Sequence, residues 1–204
     1  MRPPRYRAAV AGRPPLAVLV GGAPGSGKTT LADALAAELD LPVVHNDHLV
    51  HGRWRTLDRA LELGESGLES LYRTMELWLE LGVSFVADHT FVRGKSERDV
   101  AARLAPFASL VYVHCRTRHA PERFERRMRA DSLCGEARLQ KLLPVARQLQ
   151  ADLFEPLDFS CPCIVVDTDS GYQPPVASVV DDIDAAYSRP TVHELDRSPP
   201  APLV

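Results

Sequence analysis

Apolar residues along the chain gather in five short runs separated by longer amphipathic stretches. The runs are Leu16–Val20, Pro42–His45, Val83–Ala87, Leu110–His114 and Ile164–Val166. Each is rich in Val, Leu or Ile and none alternates cleanly between apolar and polar positions, which predicts parallel strands covered on both faces. The stretches between them predict helices over Thr29–Leu39, Leu57–Leu81, Ser96–Leu104, Pro121–Ala130, Glu136–Leu153 and Pro175–Tyr187, the second interrupted near Gly64–Gly67. Strands that alternate with helices predict a three-layer α/β fold built on a parallel sheet. Right-handed crossovers then bring all strand C-termini to one edge, where ligands bind. The globular unit is expected over residues 16–188. Residues 1–15 hold four arginines and four prolines and predict a flexible arm, and the Pro-rich stretch 189–204 predicts a flexible tail.

Composition narrows the class. The 204 residues suit one domain with a sizeable core, and 45% hydrophobic with 25% charged residues is close to the globular average. A net charge of -3 argues against a surface that wraps nucleic acid, which needs a positive excess to neutralise phosphates. No apolar run reaches the length of a membrane helix and the N-terminus lacks an apolar signal core, so a cytoplasmic protein without a membrane partner is expected. The four cysteines, Cys115, Cys134, Cys161 and Cys163, form no Cys-x-x-Cys pair, and Cys115 reads as a small core residue.

The first chemical signal is Gly22-Ala23-Pro24-Gly25-Ser26-Gly27-Lys28-Thr29, which matches Gly-x4-Gly-Lys-Ser/Thr between a strand and a helix. Glycines let main-chain N–H groups approach phosphates, and the following helix start adds donors and the positive end of its dipole. Lys28 is expected to reach the β and γ phosphates, the Thr29 hydroxyl to ligate Mg²⁺, and Thr30 to contact the α phosphate. Lys28, Lys95 and Lys141 are the only lysines, so Lys28 is not one of many surface lysines. The chain has neither the Asn-Lys-x-Asp sequence that reads guanine nor an Asp-x-x-Gly switch. ATP with Mg²⁺ is the expected ligand, and a small kinase the expected class.

Val83–Ala87 followed by Asp88 is an apolar strand ending in a carboxylate, the Walker B pattern. Asp88 is expected to hold Mg²⁺ through a water or to orient an acceptor, and is the alternative general base. His89 and Thr90 follow it as acceptor-pocket residues. Six arginines, Arg116, Arg118, Arg123, Arg126, Arg127 and Arg129, crowd into fourteen residues. Arg123 and Arg127 share a helix face, with Arg126 on a neighbouring one. Arginine forks suit the charge that spreads over a transferring phosphoryl group, so Arg123, Arg127 and Arg126 are the candidate ATP contacts. His45, His48 and His51 surround Asp47 and read as a polar pocket wall rather than a metal site.

Gly22–Thr30, His45-Asn46-Asp47, Val83–Asp88 and Val111–Arg129 together resemble the P-loop kinases grouped around chloramphenicol phosphotransferase, zeta toxin and the kinase domain of phage polynucleotide kinase. Many members of that group are actinobacterial ATP-binding proteins. The resemblance implies strand order 2-3-1-4-5, an acceptor entering beside strands 2 and 3, and an arginine-bearing lid after strand 4. It assigns the general base to Asp47 and places Thr168, after the fifth strand, beside the adenine. The segment from His48 to Leu81, with Arg53, Trp54, Arg55, Tyr72 and Trp78, becomes the acceptor wall. The acceptors in order of expectation are a small antibiotic or nucleoside-like metabolite, a nucleic acid 5′ end, and a nucleotide sugar. A regulatory ATPase that transfers nothing is the reading from a different class. Self-association into a homodimer is compatible with the fold.

Overall fold

The computed structural model describes residues 13–49, 64–131 and 136–188. The strands are β1 (Leu16–Gly21), β2 (Val43–His45), β3 (Phe85–Asp88), β4 (Ser109–Arg116) and β5 (Cys163–Asp167). The helices are α1 (Lys28–Leu39), α2 (Gly64–Glu80), α3 (Lys95–Arg103), α4 (Ala120–Ala130), α5 (Glu136–Asp152) and α6 (Val176–Ser188). The five strands pair in parallel in the order β2-β3-β1-β4-β5. Every strand C-terminus therefore faces the same edge.

Period-two alternation divides the core. Leu16, Val18 and Val20 of β1 pack with Leu31 and Leu35 of α1 and Val179 and Ile183 of α6. Ala17 and Leu19 point the other way, to Leu71 and Met75 of α2, Val100 of α3 and Phe159. Both faces of the sheet are thus covered, which is why its strands read as unbroken apolar runs. A separate small core, Phe124 with Leu139, Leu143 and Ala146, joins α4 to α5.

From Gly64, α2 runs unbroken through Gly67, and the part of the expected helix before Gly64 lies outside the described residues. Glycine inside a helix costs about 1 kcal/mol. The buried stripe of Leu71, Tyr72, Met75 and Leu79 on the sheet outweighs that preference. Arg103 ties α3 to this helix, its Nε 2.5 Å from Glu76 Oε1 and its Nη1 2.7 Å from Glu69 Oε2, with the guanidinium 4.7 Å over the Tyr72 ring. Residues 13–15, assigned to the arm on composition, are held to the last helix. Arg13 Nη1 donates to the Tyr187 carbonyl at 2.8 Å, and the Tyr187 hydroxyl donates to the Pro14 carbonyl at 3.2 Å. Among the described residues, no helix is long and apolar enough to cross a membrane.

Candidate functional site

The loop from Gly22 to Gly27 leaves β1 at the strand C-termini and enters α1. Two of its glycines are required by their surroundings. Gly22 has φ +139, and a Cβ there would sit 2.3 Å from the Cys115 carbonyl oxygen. Gly25 has φ +90, and its Cβ would sit 2.2 Å from the Ala120 carbonyl oxygen. The loop is therefore wedged between the end of β4 and the start of α4. Gly27 caps α1 without a side-chain hydrogen bond, which leaves the first N–H groups of the helix free for an anion.

Lys28, the first residue of α1, is buried. Burial lowers its pKa, the Asp47 and then the Asp88 carboxylate counteract that, and Arg127 adds to the lowering. Asp47 stands exposed in the short helical turn at residues 46–49, just past β2. Its charge is the strongest favourable one at Lys28, which puts it on the loop side of the sheet edge.

Asp88 shares a rung of the sheet with Val20 on β1 and His45 on β2. That register explains what it touches. Its Oδ2 accepts the Thr29 hydroxyl at 2.6 Å, and its Oδ1 faces His45 Nδ1 at 2.5 Å. His45 Nε2 in turn lies 3.0 Å from Asp33 Oδ1 on α1. The hydroxyl and the carboxylate are hard oxygen donors, the type that magnesium takes alongside phosphate oxygens and water. Among the described residues, no group of three His, Cys, Asp or Glu side chains could hold a metal by itself. Among the described residues the Ser26 hydroxyl, inside the loop, is buried without a hydrogen-bond partner, a further polar group suited to a phosphate.

His89 is half-buried with its ring edge-on to Phe91, centroids 5.2 Å apart. Burial, and then the Lys28 charge, push its pKa down to about 4, so the imidazole is neutral near pH 7. Thr90 follows, half-buried, and His48 stands exposed with its ring 4.6 Å from that of His45. Arg53, Arg55, Trp54 and His51 lie outside the described residues. Of the expected acceptor wall, Tyr72 is buried in the core and Trp78 packs on Phe85 at 5.5 Å, so both serve the sheet rather than a pocket.

The arginines of the α4 region divide by partner. Arg123 Nη2 donates to the carbonyls of Thr168 and Asp169, both at 2.9 Å, and its Nη1 to Thr168 Oγ1 at 3.3 Å. It clamps the loop after β5 onto α4. Thr168, expected beside adenine, is buried and donates its hydroxyl to the Ser26 carbonyl at 2.7 Å, so it braces the phosphate-binding loop from behind. Arg118 pairs with Asp169 at 3.0 Å, and Arg129 with Glu125 at 2.8 Å and Glu136 at 3.0 Å. Arg126 and Arg127 are exposed, and Arg127 lies close enough to Lys28 for its charge to act there. Thr30 is exposed on the first turn of α1.

A family model described as an AAA domain matches residues 17–149, from β1 through most of α5. The chain belongs to the AAA domain family. Comparison of this AAA domain with curated proteins finds no match. Similar solved structures include a candidate kinase from Chloroflexus aurantiacus J-10-fl, at TM-score 0.69 and 23% identity over 85% of this chain and 96% of the other. A sugar kinase from Janibacter sp. HTCC2649, unliganded, gives TM-score 0.53 and 23% identity over 85% of this chain and 94% of the other. These likenesses establish the fold of the AAA domain, and its chemistry has to be read from its own residues.

That reading adds one residue, Asp33, to those singled out in the sequence and gives His45 a different role. His45 stands out there as pocket wall, not as a partner of Asp88, because strand register is not visible in one sequence. Asp33 carries no motif. Its one signal is its place four residues after Thr29, on the same helix face.

Proposed function

We propose that this AAA domain is an ATP-dependent phosphotransferase that uses Mg²⁺ and phosphorylates a hydroxyl of a small molecule. One observation carries the reading. An exposed carboxylate, Asp47, acts on the buried Lys28 of the phosphate-binding loop from just past the end of β2, while the Thr29–Asp88 pair occupies the same sheet edge. A protein that only binds nucleotide has no need of a second, exposed carboxylate there.

When bound, ATP·Mg²⁺ supplies the phosphoryl group and offsets its negative charge. The free main-chain N–H groups of the loop and of the first turn of α1 bind the phosphates, and Lys28 neutralises the oxygens of the terminal groups. Thr29 and Asp88 would hold the cation. Asp47 orients the acceptor hydroxyl and takes its proton at a carboxylate oxygen. Arg127, with Arg126 beside it, stabilises the charge of the transferring group from α4. His89, neutral beside Asp47 and Lys28, offers the acceptor a hydrogen-bond partner without adding charge, and His48 and Thr90 flank it. A small antibiotic or nucleoside-like metabolite is the acceptor class we favour, given the modest net charge and the resemblance to chloramphenicol phosphotransferase.

The test is to incubate the protein with ATP·Mg²⁺ and a panel of hydroxylated antibiotics, nucleosides and sugars, and to search by mass spectrometry for products heavier by one phosphoryl group. A phosphorylated product supports the reading. Release of ADP that no acceptor stimulates would instead favour a regulatory ATPase.

The arginines make a separate prediction. Arg127→Ala should lower kcat about 10²–10³-fold with little change in nucleotide KM, as expected for charge stabilisation realised in the transition state. Arg123→Ala should act mainly on nucleotide KM and on melting temperature, because it frees the Thr168–Asp169 loop that braces Ser26. Steady-state kinetics of the two variants separates these roles.

A further inference from the structure

Asp88 is a buried carboxylate next to a buried lysine, and its two oxygens are occupied by other groups. Oδ2 takes the Thr29 hydroxyl and Oδ1 takes His45 Nδ1. His45 is itself buried and opposes Asp88 across the β2–β3 pair. Behind it, Asp33 Oδ1 holds Nε2 at 3.0 Å. Thr29 and Asp33 are four residues apart on α1 and so share one helix face. The contacts close a ring that runs from Thr29 to Asp88, His45, Asp33 and back along one turn of α1. A carboxylate gripped at both oxygens from a strand and a helix has one orientation. Without the grip on Oδ1 it is free to turn toward Lys28, whose positive charge already interacts with it. That turn would take the cation ligand out of use, while Lys28 keeps its charge for phosphate.

We infer that His45, backed by Asp33, is a positioning residue that fixes the Asp88 carboxylate toward Thr29 and thereby sets the affinity of the site for its divalent cation. The inference rests on the proposed nucleotide·Mg²⁺ reading of the loop. It concerns geometry, so a side chain that donates a hydrogen bond from the Nδ1 position replaces histidine. Asparagine does this, because its amide N–H sits close to where Nδ1 does, and leucine does not.

The experiment is a Mn²⁺ titration of the full chain in the presence of ADP, followed by the EPR signal of free Mn²⁺. ADP affinity in EDTA and thermal melts are measured alongside. His45→Leu should weaken Mn²⁺ binding about 10–100-fold and His45→Asn should restore it to within about threefold of the native protein, the range seen when outer-shell partners of a metal site are removed or replaced. Asp33→Ala should fall between the two. Affinity for ADP without metal should be the same in all variants. His45→Leu with native Mn²⁺ affinity overturns the inference. So does His45→Asn no better than His45→Leu while melting like the native protein. If His45→Leu does not fold, Asp33→Ala and His45→Asn carry the same comparison. A native protein that binds neither ADP nor Mn²⁺·ADP removes the nucleotide reading itself, whereas normal native binding with insensitive variants removes the role of His45 alone.

Discussion

Asp47→Asn should slow phosphoryl transfer about 10²–10⁴-fold, the usual loss when a general base is removed, and should leave nucleotide affinity close to native. The substitution keeps the shape of the side chain and removes its basicity. Asp47 is exposed just past the end of β2, free to meet an acceptor, and near enough to Lys28 and His89 to favour the protonated form of each. The two other groups that could take the proton are poorly placed to do so. Asp88 is buried, with one oxygen on Thr29 and the other on His45. His89 has its pKa pushed down to about 4, chiefly by burial, which makes it a weak base. A single-turnover measurement with a saturating acceptor isolates the chemical step. Native single-turnover rates in Asp47→Asn would move the role to Asp88 and sink the assignment. Loss of nucleotide binding would show that Asp47 serves the charge balance around Lys28 instead.

Much of this site is legible in one sequence because local chemistry writes it. The glycines of the phosphate-binding loop, Lys28 and Thr29 are consecutive, and their spacing is dictated by a single loop wrapped on one ligand. The placement of Asp88 at a strand end follows from an apolar run, whereas the order of the strands comes from the resemblance to P-loop kinases and from no run by itself. Contacts made across the fold are less visible. The charge pattern of α4 offers Arg123 and Arg127 as equivalents on one helix face. Packing separates them, because the loop after β5 returns over α4 and takes Arg123 with two carbonyls. Thr168 reads as a residue beside adenine, yet its hydroxyl turns inward to Ser26, a partner 142 positions away. Glycine propensity argues against a helix at Gly67, and the buried stripe around Leu71 and Met75 overrides it there. The His45–Asp88 pair depends on the β2–β3 register, and no pattern within either strand announces it.

Lys28→Met should abolish nucleotide-dependent function, with transfer reduced by about 10³-fold or more, since it removes the charge aimed at the reacting phosphates. It should not destabilise the protein without nucleotide. Lys28 is buried, and burial outweighs the Asp47 and Asp88 carboxylates, so its folded-state pKa lies below the ordinary lysine value. Between those two values the unfolded chain binds more protons than the folded one, and stability rises with pH. Below the lower value the full cost of keeping the ammonium buried is present. Methionine fills a similar volume without that cost, and Asp88 keeps Thr29 and His45 as partners. The variant should therefore melt at or above the native temperature at pH 7, should lack the native contribution that grows as pH approaches the lysine range, and should gain nothing from ATP·Mg²⁺. Thermal melts across that range, with and without nucleotide, test each part. A lower melting temperature for the nucleotide-free variant would mean that the two carboxylates outweigh burial. The site would then be held together by Lys28 rather than strained by it, and the energy released when phosphates meet the buried amine would be correspondingly smaller.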